Sequence, residues 1–238
     1  MRRVQKAMEM KMQMFMAILF LALLMSVDEA SAQKTYAASV SRHASTPALS
    51  EADVRQILDE ASRMLQKNSV NNGDADVACN MAFSLTGPVR TFGSADKPIN
   101  IADARQRDAV HKVDIDAPGD FHVKVVNEIE FCRRGLIGPF NGCSFPIQFR
   151  SIIVVHPSKH LDPFSKPTKL PDDLLWAHEF GHLTGLPHRH SKVALMTPCS
   201  IADLSSVTRV QVNKQECRCL LGGPGFCPLP PGVINCNQ

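Results

Sequence analysis

The segment from position 178 to position 188 constrains the fold of this chain more than any other, because it repeats histidine at helical spacing. Its sequence is HEFGHLTGLPH. Residues four apart in an α-helix lie about 40° apart around the axis and about 6 Å along it. His178 and His182 would therefore present two imidazoles on one face, with Glu179 beside them, roughly 100° around the helix from His178.

A third histidine can join this pair only if the helix ends before it. In a continuing helix, His188 would lie about 15 Å beyond His178 along the axis. Gly185 can adopt the positive φ that ends a helix, and Pro187 discourages the helix from resuming. The spacing therefore predicts a helix that ends near Gly185 and a chain that turns back to bring three imidazoles together.

Three neutral imidazoles with one open coordination position are typical of a catalytic zinc site rather than a structural one. We therefore predict that His178, His182 and His188 bind zinc and that Glu179 can reach a water molecule at the open position without displacing it. The alternative is a surface helix whose histidines are incidental. A bare His-Glu-x-x-His pair would not separate the two, but the additional Gly185 and His188 favour the metal site.

The N-terminus has the pattern of a secretory signal peptide. A basic start with Arg2 and Arg3 precedes an apolar run at residues 14–25, and small residues at 30–32 resemble a cleavage site. The alternative is a membrane anchor, but this run would rise only about 18 Å as a helix, against ~30 Å of hydrocarbon. We predict a signal peptide over residues 1–32, secretion to the extracellular space or periplasm, and no membrane association after its removal.

All eight cysteines follow the predicted cleavage site, and an even number in an exported chain indicates disulfide bonds. Cys132 and Cys143 flank a Gly-, Pro- and Asn-containing stretch and are the expected local pair. A thiolate zinc site in the C-terminal cluster is the alternative, although Cys217 and Cys219 are closer than the usual spacing of such ligands. With 26 basic against 23 acidic residues, the charge gives no reason to expect a nucleic-acid partner.

We predict that the catalytic domain spans residues 50–221. Ser50 and Asp53 resemble a capping box at the start of a helix that reaches about residue 67. Residues 33–49 show no periodicity and are predicted to be a flexible leader, and residues 222–238 a Cys- and Pro-rich tail held by disulfides. The other predicted elements are strands at 77–85, 121–132 and 147–155, loops at 93–110 and 156–169, a helix opened by Pro171, and a last helix at 207–221.

The histidine segment resembles that of the metzincin zinc peptidases. Met196 falls at the place of the family's Met-turn, which packs beneath the zinc ligands without binding the metal. Gly181, Leu186 and the Met-x-Pro sequence after the turn are similar to those of the matrixins. Astacins and serralysins carry a tyrosine ligand two residues after that methionine, where this chain has Pro198.

This resemblance implies an α+β fold of the α/β-type metzincin domain. Such a domain has a twisted mixed sheet, an active-site helix, a backing helix and a small C-terminal subdomain. It implies one catalytic Zn²⁺ and a protein or peptide substrate extended along an edge strand, which we place at residues 140–150. The specificity pocket is expected just beyond the Met-turn, at residues 199–208, and the protein is expected to be a monomer.

Three features depart from the matrixin pattern. No cysteine precedes Cys79, so latency through a prodomain thiol is not expected, and no strand is evident before the first helix. Matrixins also carry a second zinc ion and calcium ions in the loops before the active-site helix, so additional structural metal sites stay open. The residues in that region have no recognisable ligand spacing and are expected to be solvated loop residues: His111, Asp114, Asp116, His156 and His160.

We predict a secreted zinc-dependent endopeptidase in which Glu179 takes a proton from the zinc-activated water that attacks the scissile carbonyl. Two alternatives stay open. A disulfide-rich secreted binding protein with a vestigial zinc site would use none of this chemistry. A zinc amidase would share the site but act on bonds other than peptide bonds.

Overall fold

The computed structural model describes residues 32–66, 77–145, 147–156, 172–189, 194–197 and 211–227. Within those ranges, no helix is long and apolar enough to span a bilayer. The strands are β1 (Lys34–His43), β2 (Met81–Leu85), β3 (Arg90–Phe92), β4 (Asn100–Ile101), β5 (Phe121–Val126), β6 (Glu128–Ile129), β7 (Phe131–Arg133), β8 (Leu136–Ile137), β9 (Gly142–Cys143) and β10 (Ser151–Val155). The helices are α1 (Glu51–Gln66), α2 (Ala104–His111), α3 (Asp172–Leu183), α4 (Lys214–Gly222) and a 3₁₀ turn at Ile147–Phe149.

A mixed sheet runs through the middle of the fold in the strand order β2-β1-β5-β10-β9. The first four of these strands are parallel to one another, and β9 pairs with β10 in the antiparallel direction. The central register places Val40 opposite Val123 and Val123 opposite Ile152. The predicted combination of a mixed sheet with helices is confirmed, and among the described strands β9 lies at the edge of this sheet.

Two helices, α1 and α3, cover one face of the sheet. Val40 and Val123 belong to the same core as Leu58 of α1 and Phe180 of α3. The ring of Phe180 lies 4.9 Å from that of Phe83 and also 4.9 Å from that of Phe121, measured between centroids. Burial of one such aromatic side chain stabilises a fold by roughly 1.5–3 kcal/mol, so this cluster holds α3 firmly against the sheet.

The opposite face of the sheet buries a smaller apolar cluster together with several polar side chains. Ile101 and Ile153 belong to the apolar part, together with Val110 of α2. His122 and Lys124 alternate with the core-facing residues of β5 and therefore point to this face. Lys124 is fully buried, and burial is the main reason that its pKa is lowered to about 8.

The prediction of a flexible leader over residues 33–49 is wrong, because residues 34–43 form β1. This strand lies between β2 and β5, so the folded unit begins at Gln33 rather than at residue 50. The strand before the first helix, which was not evident in the sequence, is therefore present. Its sequence, KTYAASVSRH, alternates apolar residues with small or polar ones, and the strand is stabilised by pairing on both sides rather than by local propensity.

The prediction of a loop over residues 93–110 is also wrong in part, because β4 and most of α2 lie there. Asp103 caps α2 by accepting a hydrogen bond from the backbone N–H of Gln106. The helix is short and has few apolar residues, and Arg107, Val110 and His111 are its buried residues. A helix this polar gives little periodic signal and depends on its contacts with the rest of the fold.

Other local predictions are confirmed within the described residues. The capping box at the start of α1 is present, because Asp53 N–H donates to Ser50 Oγ (3.1 Å) and Ser50 N–H donates to Asp53 Oδ2 (3.0 Å). The three predicted strands contain β2, β5 and β10, with shorter bounds, but residues 147–149 of the third form the 3₁₀ turn rather than strand. The last helix starts later than predicted, at Lys214, behind a capping box formed by Asn213 and Glu216.

Three disulfides join described cysteines. Cys132–Cys143 confirms the predicted local pair, and the others are Cys79–Cys217 and Cys219–Cys227. These bonds exclude a thiolate zinc site built from Cys217 and Cys219. Within the tail, Cys227 N–H donates to the carbonyl oxygen of Thr184, so residues up to 227 pack against the end of α3. The predicted tail beyond residue 227 lies outside the described residues.

Candidate metal centre

The end of α3 returns the chain towards the helix. Gly185 has φ 98°, Leu186 N–H donates to the carbonyl of Gly181 (3.0 Å), and Gly185 N–H donates to that of His182 (2.9 Å). These are the two hydrogen bonds of a Schellman motif. A Cβ at Gly185 would also overlap the carbonyl oxygen of Cys227. The helix end predicted at Gly185 is therefore confirmed, and both backbone conformation and packing require glycine there.

Backbone carbonyls fix the orientation of two imidazoles. Nδ1 of His178 lies 2.7 Å from the carbonyl oxygen of Leu195, and Nδ1 of His182 lies 2.8 Å from that of Leu186. A carbonyl oxygen only accepts, so each Nδ1 carries the proton and each Nε2 keeps a free lone pair. Proteins commonly orient metal-binding histidines in this way. Because Leu186 belongs to the Schellman motif, the helix end itself supplies one of the acceptors.

The three predicted ligand histidines converge. The ring centroid of His182 lies 4.6 Å from that of His178 and 4.6 Å from that of His188. Nε2 of His182 and Nε2 of His188 are 3.0 Å apart, close to the separation of about 3.3 Å between two nitrogen ligands of tetrahedral zinc. Among the residues that the structure describes, this is the one group of three or more His, Cys, Asp or Glu side chains that could hold a metal ion.

Burial favours the neutral, metal-binding form of His178 and His182. Loss of solvation lowers the pKa of His178. It also lowers the pKa of His182 far below its ordinary value, and repulsion from His178 and His188 adds to this. Neutral imidazole is the form that coordinates zinc. The arrangement of the three imidazoles, together with the neutral form favoured at His178 and His182, therefore fits Zn²⁺ held by three nitrogens.

Glu179 follows His178 directly in the sequence, and its side chain is buried. The residue is 5% exposed, and its carboxylate is hydrogen-bonded to the hydroxyl of Ser144. Burial raises the pKa of Glu179 to about 7, against the opposing effect of the Ser144 hydrogen bond. A cation bound to the imidazoles would lower this pKa again, because it favours the carboxylate. The pKa of this carboxyl group therefore depends on whether a cation is bound beside it.

Met196 lies in a tight turn beneath α3. Thr197 N–H donates to the carbonyl of Ala194 (3.1 Å), and Met196 is fully buried. A Cβ added at Gly181, between the two helical histidines, would overlap the sulfur of Met196. The turn also supplies the carbonyl of Leu195 that orients His178. The residue predicted as the Met-turn therefore packs against the segment of α3 that carries the histidines.

The expectation of solvated loop residues is wrong for two of the five positions considered for additional metals. His111 is fully buried and His156 is 7% exposed. Asp114 accepts a hydrogen bond from Ser41 Oγ (2.6 Å), and Asp116 is exposed. His160 lies outside the described residues, as do the expected specificity pocket at 199–208 and the loop at 157–169. The described members of this set do not form a metal-binding group.

Two residues beside Glu179 were not identified from the sequence. Ser144 hydrogen-bonds to Glu179, and a Cβ added at Gly142 would overlap the Glu179 carboxylate. Both follow from the tertiary packing of β9 against α3, which no local pattern encodes. Glycine within a short strand does mark places of close approach, and Gly142 is such a place.

No family model matches this sequence, and no curated protein does. Among solved structures, a zinc-dependent peptidase from Methanocorpusculum labreanum is similar with a TM-score of 0.47 and 16% identity, over 77% of this chain and 99% of that one. Mirolysin is similar with a TM-score of 0.41 and 15% identity, over 65% of each chain. At these values neither likeness defines the function of this chain, which must be inferred from its own site.

Proposed function

We propose that the protein is a secreted zinc-dependent endopeptidase of the metzincin type, with a matrixin-like site. The observation that carries the proposal is the convergence of His178, His182 and His188 beside the buried carboxyl group of Glu179. Three neutral imidazoles supply a tripod for one ion and leave room for a fourth ligand. A structural zinc site would instead close all four positions with protein side chains.

In this mechanism the three histidines hold the ion, and Glu179 handles the protons. Zinc, when bound, lowers the pKa of a coordinated water to about 7 and polarises the scissile carbonyl. Glu179 accepts a proton from the attacking water and later delivers it to the leaving amine. Its burial excludes bulk water as a competing proton donor, and the Ser144 hydroxyl limits the movement of its carboxylate.

We propose that the substrate is a peptide extended along β9. This strand lies at the edge of the sheet and falls within the region expected to bind substrate, residues 140–150. An added strand would gain main-chain hydrogen bonds there, as in other cases of β-strand addition. Because Gly142 of β9 contacts the carboxylate of Glu179, a peptide paired with β9 would pass close to the proposed base.

Disulfides persist in oxidising compartments, and the three described disulfides agree with such a location. We therefore propose that the protein is secreted after residues 1–32 are removed. We further propose that the protein acts as a monomer on proteins or peptides, with no nucleic-acid partner. Its catalytic site is proposed to hold one zinc ion, and additional structural zinc or calcium sites stay open.

The proposal is tested by incubating the purified protein with a mixed peptide library, with and without a chelator, and by adding zinc back. We expect cleavage that the chelator abolishes and zinc restores. The Glu179→Ala variant should keep its zinc yet lose cleavage, because the ligands remain while the base is removed. Glu128→Ala, which changes an exposed glutamate, is the matched control and should cleave like the parent.

Each other outcome identifies an alternative. Full cleavage by Glu179→Ala would contradict the role of this residue. A parent protein without chelator-sensitive cleavage would favour a binding protein with a vestigial site. Products that arise from bonds other than peptide bonds would favour a zinc amidase.

A further inference from the structure

The segment that follows the edge strand β9 contacts the proposed base at two points. Ser144 Oγ lies 2.8 Å from the main-chain carbonyl oxygen of Glu179 and is also hydrogen-bonded to Glu179 Oε2. Two residues earlier, Gly142 leaves the space that the carboxylate fills, since a Cβ there would overlap it. One short stretch of chain therefore packs against Glu179 and hydrogen-bonds to it.

This stretch is itself fixed on several sides. Gly142 and Cys143 pair with β10, and Cys143 is bonded to Cys132. The carbonyl oxygen of Phe145 accepts a hydrogen bond from Nε2 of His111 (2.9 Å). Ser144 lies between these restraints and is 5% exposed. Its hydroxyl is consequently an immobile partner, in contrast to a serine on a free surface loop.

The Ser144 hydroxyl contacts two oxygens of the same residue, the main-chain carbonyl oxygen of Glu179 and its carboxylate. A hydroxyl has one proton and two lone pairs, which suits it to such a pair of polar neighbours. It therefore links the end of the Glu179 side chain to the backbone of α3. A glutamate side chain has several rotatable bonds, and catalytic groups need placement within about 0.5 Å.

We propose that Ser144 is a positioning residue that holds the carboxyl group of Glu179 in its working orientation, an inference that rests on the proposed peptidase function. Gly142 contributes by keeping the space for that orientation empty of side-chain atoms. Ser144 has no direct role in binding the metal, because its hydroxyl contacts Glu179 and not the imidazoles. The proposal also gives it no contact with substrate, because its hydroxyl is already engaged with two oxygens of Glu179.

The test compares Ser144→Ala with Ser144→Thr, and uses Ser62→Ala as the matched control. Ser62 is also a buried serine with two hydrogen bonds, to Leu58 O and from Phe83 N–H, but it lies in α1. Zinc content, thermal unfolding, kcat and KM for a cleaved peptide are measured for each full-length variant. The crystal structure of the metal-free Ser144→Ala variant gives the conformation of Glu179 independently of activity.

We expect Ser144→Ala to lower kcat by about 10- to 100-fold, as when other partners that orient active-site groups are removed, with KM and zinc content unchanged. Ser144→Thr should recover most of the kcat, because it restores the hydroxyl. Ser62→Ala should keep the parent kcat. In the metal-free Ser144→Ala crystal, the Glu179 side chain should occupy more than one rotamer.

The inference is overturned if Ser144→Ala keeps the parent kcat, if its loss is no larger than that of Ser62→Ala, or if Ser144→Thr recovers nothing. A parent protein without chelator-sensitive cleavage would instead remove the proposed function. In that case the crystal structure still decides the positioning role, because a single unchanged Glu179 rotamer in the alanine variant would contradict it.

Discussion

Buried histidines lie on both sides of the central sheet, and their ring nitrogens form different hydrogen bonds. On the α3 side, His178 and His182 each use Nδ1 to donate to a backbone carbonyl, so that the Nε2 lone pair is not used by a backbone hydrogen bond. On the far side, His111 uses both ring nitrogens: Nε2 donates to the carbonyl of Phe145, and Nδ1 accepts from the hydroxyl of Ser151. His122 is likewise engaged through Nδ1 with Ser39 Oγ.

Burial and a neutral ring therefore do not by themselves make a histidine a metal ligand. Burial lowers the pKa of His111 and of His178 alike. The difference is where the remaining lone pairs point. At the end of α3 they meet at one place, whereas the available nitrogens of His111 are already satisfied by the protein. The candidate metal centre therefore differs from the structural histidines in having ring nitrogens that meet at one place and are not used up by hydrogen bonds to the backbone.

The largest effect is expected from removing a ligand on the α3 side. His188→Ala should weaken zinc binding by more than the roughly 100-fold that loss of an orienting partner costs, and cleavage should fall to background. His122→Asn, on the far side, should keep stoichiometric zinc. Metal analysis of the two purified variants checks this, and stoichiometric zinc in His188→Ala would mean that the third ligand is misassigned.

An intermediate effect on stability is expected when acid protonates His111, which lies on the far side of the sheet. Burial lowers the pKa of His111 to about 4, and the nearby charges of Arg107, Asp108 and Lys124 act on it as well. The unfolded chain binds a proton below about pH 6.5, but the folded protein does so only below about pH 4. Stability should therefore fall as pH drops from 6.5 to 4, by on the order of 3 kcal/mol from this residue.

The measurement is urea unfolding of the metal-free protein at several pH values across this window. In His111→Gln, which has an amide to donate to Phe145 but does not titrate, the free energy of unfolding should depend less steeply on pH. An unchanged slope would show that His111 is not a source of the acid sensitivity.

The smallest effect is expected beneath the histidines of α3. Gly181→Ala gains roughly 1 kcal/mol of helix propensity. It also forces the new methyl group against Met196, and overpacking of this kind costs about 1–3 kcal/mol. We expect the cost to exceed the gain, because Met196 is fully buried in its turn. The net result should be about 1 kcal/mol of destabilisation, with weaker zinc binding, measured by thermal unfolding and zinc titration.

A double-mutant cycle sharpens this prediction. In a Met196→Ala background the added methyl group has space, so Gly181→Ala should no longer destabilise the protein. An equal cost in both backgrounds would place the strain elsewhere.

The conformation of residues 178–188 was predictable because it depends on interactions between residues that are close in sequence. Helical spacing places His178 and His182 on one face, and Gly185 ends the helix through hydrogen bonds within six residues of chain, from Gly181 to Leu186. The capping box of Ser50 and Asp53 was predictable for the same reason, since both partners lie within one helical turn. In each case the interacting residues are neighbours in sequence.

The elements that sequence reasoning missed depend on distant partners. β1 is a strand because β2 and β5 pair with it on either side, although its own alanines and serines give little strand signal. The helix α2 is held by a few buried residues such as Val110. Neither dependence can be derived from a window of neighbouring residues.

The sequence by itself identified the three histidines that the structure brings together and the residue at which their helix ends, because spacing and backbone conformation act over a few residues. Only the tertiary structure decided how those side chains are held. The carbonyl of Leu195 orients His178 from a separate turn, and Ser144 reaches Glu179 from the edge of the sheet. These contacts form when elements far apart in the chain pack together, so their geometry is a property of the folded core.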